Sequence, residues 1–133
     1  MNTWWVDFGA TTHISVTMQG CLWSRPPSDV ERFIYVADGN KVTVEAVGTF
    51  RLCSKTELFL DLFETFYVPS FRRNLVSVSR LDKSGYHCSF KNNKVSLFQN
   101  SNIICSAFLI DNLYKLDLNF CNEILQTSSR GTK

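Results

Sequence analysis

Residues 4–13 read Trp4-Trp5-Val6-Asp7-Phe8-Gly9-Ala10-Thr11-Thr12-His13. The apolar residues at the start predict a short buried strand, which Asp7 and Gly9 end. A carboxylate at the end of a buried strand is partly removed from water, so its pKa is open to tuning by its neighbours. A lone Asp-x-Gly, however, more commonly starts a turn and bonds its own backbone. These ten residues alone therefore favour a turn over a catalytic acid.

The composition is that of a single domain. Domains cluster near 100–150 residues, and this chain has 133, of which 44% are hydrophobic. The net charge of +2 comes from dispersed Lys and Arg, so no strong nucleic-acid signal is present. Asp61 and Glu64 interrupt the longest apolar run, and no basic segment precedes an apolar leader, so neither a membrane span nor secretion is predicted. Five cysteines without a C-x-x-C pair predict reduced thiols and a cytoplasmic or nuclear location.

Short strand patterns alternate with turn signals along most of the chain. Asp38-Gly39-Asn40 joins two of them and gives the clearest hairpin. A one-residue slip in the alternation at Glu64-Thr65 predicts a β-bulge, and Gly48 predicts a bulge or a close crossing of strands. Residues 18–23 are ambiguous, with a helical turn as one option, and residues 24–29 predict a loop because they contain paired prolines.

One segment has a helical pattern. Residues 74–83 place Leu75, Val78 and Leu81 on one helical face, and a glycine follows shortly after. About nine short strands and this helix predict an all-β fold, an antiparallel barrel or sandwich. Residues 118–133 are rich in polar residues, and we expect them to be a disordered tail.

Other site chemistries find little support. Asp7-Phe8-Gly9 spells the magnesium-binding tripeptide of protein kinases, but only six residues precede it, so this match is accidental. His13, Cys21, His87 and Cys88 lack the paired spacing of zinc ligands, and neighbours on a strand point to opposite faces. We therefore predict no metal and no cofactor. A Cys–His nucleophile lacks a third orienting group, and the Arg72-Arg73 loop is more commonly solvated than bound to phosphate.

A series of landmarks nonetheless follows in order along the chain. The opening stretch resembles the W-x-x-D-S-G-A-[ST]-x-H of copia-type retrotransposon Pol polyproteins. Asp38-Gly39-Asn40 and Val47-Gly48-Thr49 match the next landmarks of that family. Residues 67–81 resemble its Y-V-P-x-x-x-x-N-L-[LV]-S-V-x-x-L segment, and residues 113–117 complete the series.

The resemblance implies a retropepsin-like antiparallel β-barrel over residues 3–117. It implies that Asp7 is the catalytic aspartate of an aspartic endopeptidase, supported by Gly9, Ala10 and Thr11. Such a peptidase cleaves a polypeptide substrate, ancestrally the Gag-Pol polyprotein, only as a homodimer that contributes one carboxylate per subunit. Two carboxylates about 3 Å apart share a proton, as this chemistry requires. The hairpin within residues 33–50 is then the candidate flap, and residues 74–81 support the loop from behind.

Phe8 departs from the family pattern. The family has Ser or Thr at this position, and its hydroxyl bonds across the dimer to the partner's loop. A lost buried hydrogen bond costs about 1–3 kcal/mol, and overpacking costs a similar amount. We therefore expect the peptidase to be impaired or inactive. The alternatives are a non-catalytic β-barrel interaction module and a transposon relic, since the chain looks like a fragment or a decayed, retained copy without zinc knuckle or integrase.

Overall fold

The computed structural model describes residues 2–119 of the 133-residue chain. Within that range it contains twelve strands, one α-helix and a short 3₁₀ turn. The first six strands are β1 (Trp4–Asp7), β2 (Ile14–Ser15), β3 (Cys21–Arg25), β4 (Phe33–Tyr35), β5 (Lys41–Thr43) and β6 (Ala46–Cys53). The others are β7 (Phe59–Tyr67), β8 (Asn74–Ser77), β9 (His87–Lys91), β10 (Lys94–Gln99), β11 (Asn102–Ile110) and β12 (Leu113–Leu116). The α-helix is α1 (Val78–Lys83), and the 3₁₀ turn is Asp29–Glu31.

Ten of the strands form one sheet in the order β3-β6-β7-β2-β8-β1-β12-β11-β10-β9, and β4 and β5 form a separate hairpin. Most neighbours are antiparallel, but β1 pairs with β8 and β2 pairs with β7 in parallel. The prediction of a mostly β fold with one short helix is confirmed. Within residues 2–119 the outer edges of β3 and β9 do not pair with each other, so the ladder of strands stays open.

The predicted helix at 74–83 is correct only in its second half. Residues 74–77 form β8, which lies directly beside β1 in parallel register. Ser77 then caps α1, because its Oγ accepts a hydrogen bond from the Arg80 N–H. Leu75 therefore belongs to a strand and not to the helical face that we predicted. Pairing with β1 outweighs the local helical pattern here.

The predicted irregularities in the sheet are confirmed. The β6–β7 register shifts between Gly48 and Phe50, and Glu64 opposite this shift has φ +54°, as expected of a bulge. Gly48 also lies where the backbone of the neighbouring strand β3 approaches closely, since a Cβ there would collide with the carbonyl oxygen of Trp23. Residues 21–25 form β3 rather than a helical turn, because they pair with β6. The predicted loop at 24–29 therefore begins only after Arg25 and ends where the 3₁₀ turn begins at Asp29.

The Asp38-Gly39-Asn40 hairpin is confirmed as β4 and β5. Gly39 has φ +88°, and Asp38 accepts the Asn40 N–H at 2.9 Å. The hairpin is shorter than the candidate flap predicted within residues 33–50, because residues 46–53 belong to the ten-stranded sheet as β6.

The core has two parts. The larger cluster contains Trp4 and Val6 of β1 together with apolar residues of β6, β7, β10 and β11, and Leu81 of α1 packs into it. The smaller cluster contains Ile14, Val44, Val47 and Val68. Strand β1 thus buries Trp4 and Val6, and Asp7 at its end is partly exposed.

The end of the predicted domain lies near the limit of the described residues. Leu118 forms an isolated bridge with Ser54, and the Asn119 N–H donates to the Cys53 carbonyl oxygen. The tail predicted to be disordered begins at residue 118; Leu118 and Asn119 make these contacts, and residues 120–133 lie outside the described residues.

Candidate functional site

Asp7 is the last residue of β1 and lies opposite Ser77 of β8. Side chains alternate along the strand, so Trp4 and Val6 enter the core while Trp5 and Asp7 lie on the other face. Both of these residues are partly exposed. The sheet therefore presents one carboxylate next to one indole ring at the end of a rigid strand.

The Asp7 carboxylate takes part in a tight turn. Its Oδ1 accepts the Gly9 N–H at 2.8 Å, which is the turn that the bare Asp-x-Gly pattern predicts. A Cβ at Gly9 would lie 3.6 Å from that oxygen, an ordinary van der Waals contact. A glycine is therefore not required at this position by the fold of a single chain.

Serine side chains at the start of α1 form hydrogen bonds with the loop that follows Asp7. The Ser77 Oγ donates to the Ala10 carbonyl oxygen at 2.7 Å, and the Ser79 Oγ reaches the same oxygen at 3.4 Å. The Ser77 N–H donates to Nδ1 of His13 at 2.9 Å. Of the predicted supporting residues, Ala10 thus has a direct role in the contact, while Thr11 is exposed. Sequence reasoning did not single out Ser77, whose position opposite Asp7 depends on the β1–β8 register.

His13 is a structural residue. Its side chain is completely buried, and burial, followed by the nearby charge of Arg80, lowers its pKa to about 3. Because Nδ1 accepts a hydrogen bond, the neutral ring carries its proton on Nε2, which has no partner among the described residues. No group of three His, Cys, Asp or Glu side chains within residues 2–119 is placed to hold a metal ion.

Phe8 lies in a cluster of three aromatic rings, which we call the aromatic triad: Phe8, Phe90 and Tyr114. The centroid of the Phe8 ring is 4.8 Å from that of Phe90 and 5.7 Å from that of Tyr114. Phe8 is nevertheless 48% exposed. Its ring contacts Phe90 of β9 and Tyr114 of β12 in its own chain.

A groove of about 520 Å³ opens beside the Asp7 loop. We call it the Asp7 groove and define it by six of its lining residues: Trp5, Leu75 and Leu113 are apolar, and Asp7, Arg72 and Arg73 are charged. The Arg73 guanidinium carbon lies 5.4 Å from the centre of the Trp5 ring. The sequence contains one signal for this groove, since alternation along the strand places Trp5 and Asp7 on one face of β1.

Within residues 2–119 no free cysteine has the lowered pKa of a nucleophilic thiol. Cys21, Cys88 and Cys105 are free thiols, and burial raises the pKa of each, to about 11 for Cys105. Cys53 is disulfide-bonded, so the prediction of reduced thiols throughout is wrong at this position. No helix among the described residues is long and apolar enough to cross a membrane.

Comparison with known families identifies the domain. The family model described as "Pol polyprotein, beta-barrel domain" matches residues 4–86, which is more than half of the chain. The chain belongs to the Pol polyprotein β-barrel domain family. The matched residues include the Asp7 loop, the β4–β5 hairpin and the β8–α1 segment.

Relatives of this Pol β-barrel domain occur in plant transposons. It is 34% identical over 80 residues to the retrovirus-related Pol polyprotein from transposon RE1 of Arabidopsis thaliana, and 32% identical to that from transposon RE2. It is 29% identical over 119 residues to the Pol polyprotein from transposon TNT 1-94 of Nicotiana tabacum. These alignments cover 60% or 88% of this chain but only 5% or 9% of the relatives. No solved structure matches.

Proposed function

We propose that this domain is the aspartic-peptidase-like part of a copia-type retrotransposon Pol polyprotein and that, with Phe8 in place of Ser or Thr, it does not cleave peptides. The family membership and the position of Asp7 at the end of a buried strand support the first part. The observation that carries the second is the packing of Phe8 on Phe90 and Tyr114 of its own chain.

The chemistry of such a peptidase needs two Asp7 carboxylates. When they lie about 3 Å apart they share one proton, so that one acts as a base on water and the other polarises the peptide carbonyl. The two groups titrate as a pair. Each chain supplies one Asp7 on this loop, so activity requires a homodimer in which two Asp7 loops meet.

Phe8 disfavours the association of two Asp7 loops in two ways. A phenyl ring has no donor for the partner's loop, and the loss of a buried hydrogen bond costs about 1–3 kcal/mol in each subunit. Its ring also forms part of the aromatic triad, so moving it aside to admit a second loop would break contacts with two other rings. Catalysis tolerates little misplacement of the reacting groups. The monomer is therefore the form that these contacts favour.

The proposal is tested by oligomeric state and cleavage together. We expect the chain to sediment as a monomer at micromolar concentration and to leave a degenerate peptide library intact at about pH 5. Phe8→Ser should shift the sedimentation towards a dimer. Cleavage by the unmodified chain that Asp7→Ala abolishes would contradict the loss of activity, and a Phe8→Ser variant that stays monomeric would contradict the role given to Phe8.

A second candidate is a non-catalytic interaction module. The Asp7 groove favours it, because its aromatic floor and its charged rim are accessible in a single chain. Under this alternative a partner still binds the groove after Asp7→Asn, although the charge that the partner prefers beside residue 7 changes, whereas cleavage by a shared carboxylate pair would be lost.

A further inference from the structure

Two arginines at the rim of the Asp7 groove, Arg72 and Arg73, make no ion pair within residues 2–119. We propose that the groove binds an extended peptide segment in which acidic residues lie next to large apolar residues. This inference rests on the proposed function for the peptide nature of the ligand and adds its chemical character. It does not require that the peptide be cleaved.

The apolar part of the groove fits large side chains. Trp5 of β1 and Leu75 of β8 are register partners in adjacent strands, and Leu113 of β12 lies on the other side of β1. All three are only partly buried. A volume of about 520 Å³ lies within the roughly 300–1,000 Å³ that is usual for ligand sites. The sheet thus offers an aromatic and aliphatic surface that is not covered by another element of the described chain.

The charged part of the groove fits a carboxylate. Within residues 2–119, ion pairs involve Arg25, Arg32 and Arg51, whereas neither Arg72 nor Arg73 contacts a carboxylate. Both side chains are exposed, and Arg73 is positioned over the Trp5 ring. A guanidinium over an aromatic ring keeps its N–H donors available for a bidentate carboxylate. The two arginines therefore add a negative-charge preference directly beside the apolar floor.

Asp7 makes the charge of the groove uneven and disfavours nucleic acid as its ligand. Its carboxylate lines the same groove, so negative charge of the ligand is favoured beside the arginines and disfavoured beside Asp7. A nucleic-acid strand carries a phosphate at every nucleotide and needs a run of cations, while this groove has two arginines and one aspartate. An acidic, partly apolar peptide matches this distribution better.

Fluorescence anisotropy with the full chain tests the inference. The probe is a labelled octapeptide with two glutamates between a leucine and a phenylalanine, and the matched peptide has glutamine at both positions. We expect the glutamate peptide to bind about tenfold more tightly, which corresponds to about 1.4 kcal/mol. The double variant Arg72→Gln, Arg73→Gln should abolish this difference, and Arg32→Gln, at an exposed arginine outside the groove, should preserve it.

Three other results would overturn the inference. Equal binding of the two peptides, or an equal loss in Arg32→Gln, would show that the charge of the groove is not what selects the ligand. Stronger competition by a single-stranded oligouridylate than by the glutamate peptide would assign the groove to nucleic acid. If the double variant fails to fold by circular dichroism, the single changes Arg72→Gln and Arg73→Gln replace it, each with a smaller expected loss.

The inference and the proposed function can fail separately. Peptide binding without preference for glutamate removes the inference and leaves the proposed function in place. Cleavage that depends on Asp7 removes the proposed loss of activity, whatever the groove prefers to bind.

Discussion

At the scale of single residues, burial makes His13 a structural hydrogen-bond acceptor. From the sequence alone this histidine was one of four candidate metal ligands. In the fold it is completely buried, and its Nδ1 accepts the Ser77 N–H, which ties the Asp7 loop to the start of α1. Only the neutral ring can accept this hydrogen bond. The same contact that orders the loop therefore makes the fold sensitive to acid.

The expected consequence is a loss of stability below pH 6.5. Burial lowers the pKa of His13 from 6.5 to about 3 in the folded chain. Between these values the unfolded chain binds a proton that the folded chain does not, so the free energy of unfolding falls by up to about 1.4 kcal/mol per pH unit as the pH decreases. Urea denaturation from pH 7 to 4.5 measures this slope.

His13→Asn tests the assignment, because an asparagine oxygen can still accept from Ser77 but does not titrate. We expect this variant to have a flatter pH dependence than the wild type over the same range. The matched change His87→Asn, at an exposed histidine, should keep the wild-type slope. A His13→Asn variant with the wild-type slope would show that another group causes the loss.

At the scale of elements, the close pairing of β3 with β6 depends on one glycine. Gly48 lies opposite Ser24 in the ladder, and its missing side chain lets the Trp23 backbone approach. The bulge at Glu64 on the other side of β6 adjusts the register at the same point. The pairing of β3, β6 and β7 is therefore irregular at the same point of the sheet.

Gly48→Ala should destabilise the fold by about 1–3 kcal/mol, because the new Cβ collides with backbone that cannot rotate away. The matched control is Gly39→Ala in the hairpin turn. Gly39 has φ +88° but open space around it, so only the backbone strain, about 1 kcal/mol, is expected there. Thermal denaturation compares the two variants, and a smaller loss for Gly48→Ala would contradict the role of the close approach between β3 and β6.

At the scale of the whole molecule, a charged network joins distant parts of the chain. Arg25 of β3 donates to Glu31 in the 3₁₀ turn at 2.8 and 3.0 Å and to Glu64 of the β7 bulge at 2.8 Å. Glu31 also accepts the Ser28 N–H at 2.8 Å. The hydrogen bonds from Arg25, with that of Ser28, lower the pKa of Glu31 from 4.5 to about 2.

This network should contribute stability above pH 4.5 and lose it as the pH falls towards 2, because the folded chain holds Glu31 ionised longer than the unfolded chain does. Glu31→Gln removes this contribution. We therefore expect the difference in unfolding free energy between wild type and Glu31→Gln to be largest at neutral pH and to shrink between pH 4.5 and 2. A Glu45→Gln control, at an exposed position, should show no such convergence.

Much of this fold follows from local sequence patterns. The strand alternation, the Asp38-Gly39-Asn40 turn and the slip at Glu64 predicted strands, hairpin and bulge correctly, because side-chain period and turn chemistry are properties of a few neighbouring residues. The pattern at 74–77 failed for the opposite reason. Residues 74–77 pair with β1, which lies near the N-terminus, and the sequence around 74–77 carries no signal for that pairing.

The sequence by itself determined the β-rich class, the family landmarks and the position of Asp7 at the end of a buried strand. Tertiary structure alone decided what surrounds that carboxylate. It brings Ser77 behind the loop, Phe90 and Tyr114 against Phe8, and Arg72 and Arg73 over the groove beside Trp5. These neighbours are far apart in the chain, and they meet because strand order and register set which side chains share a face.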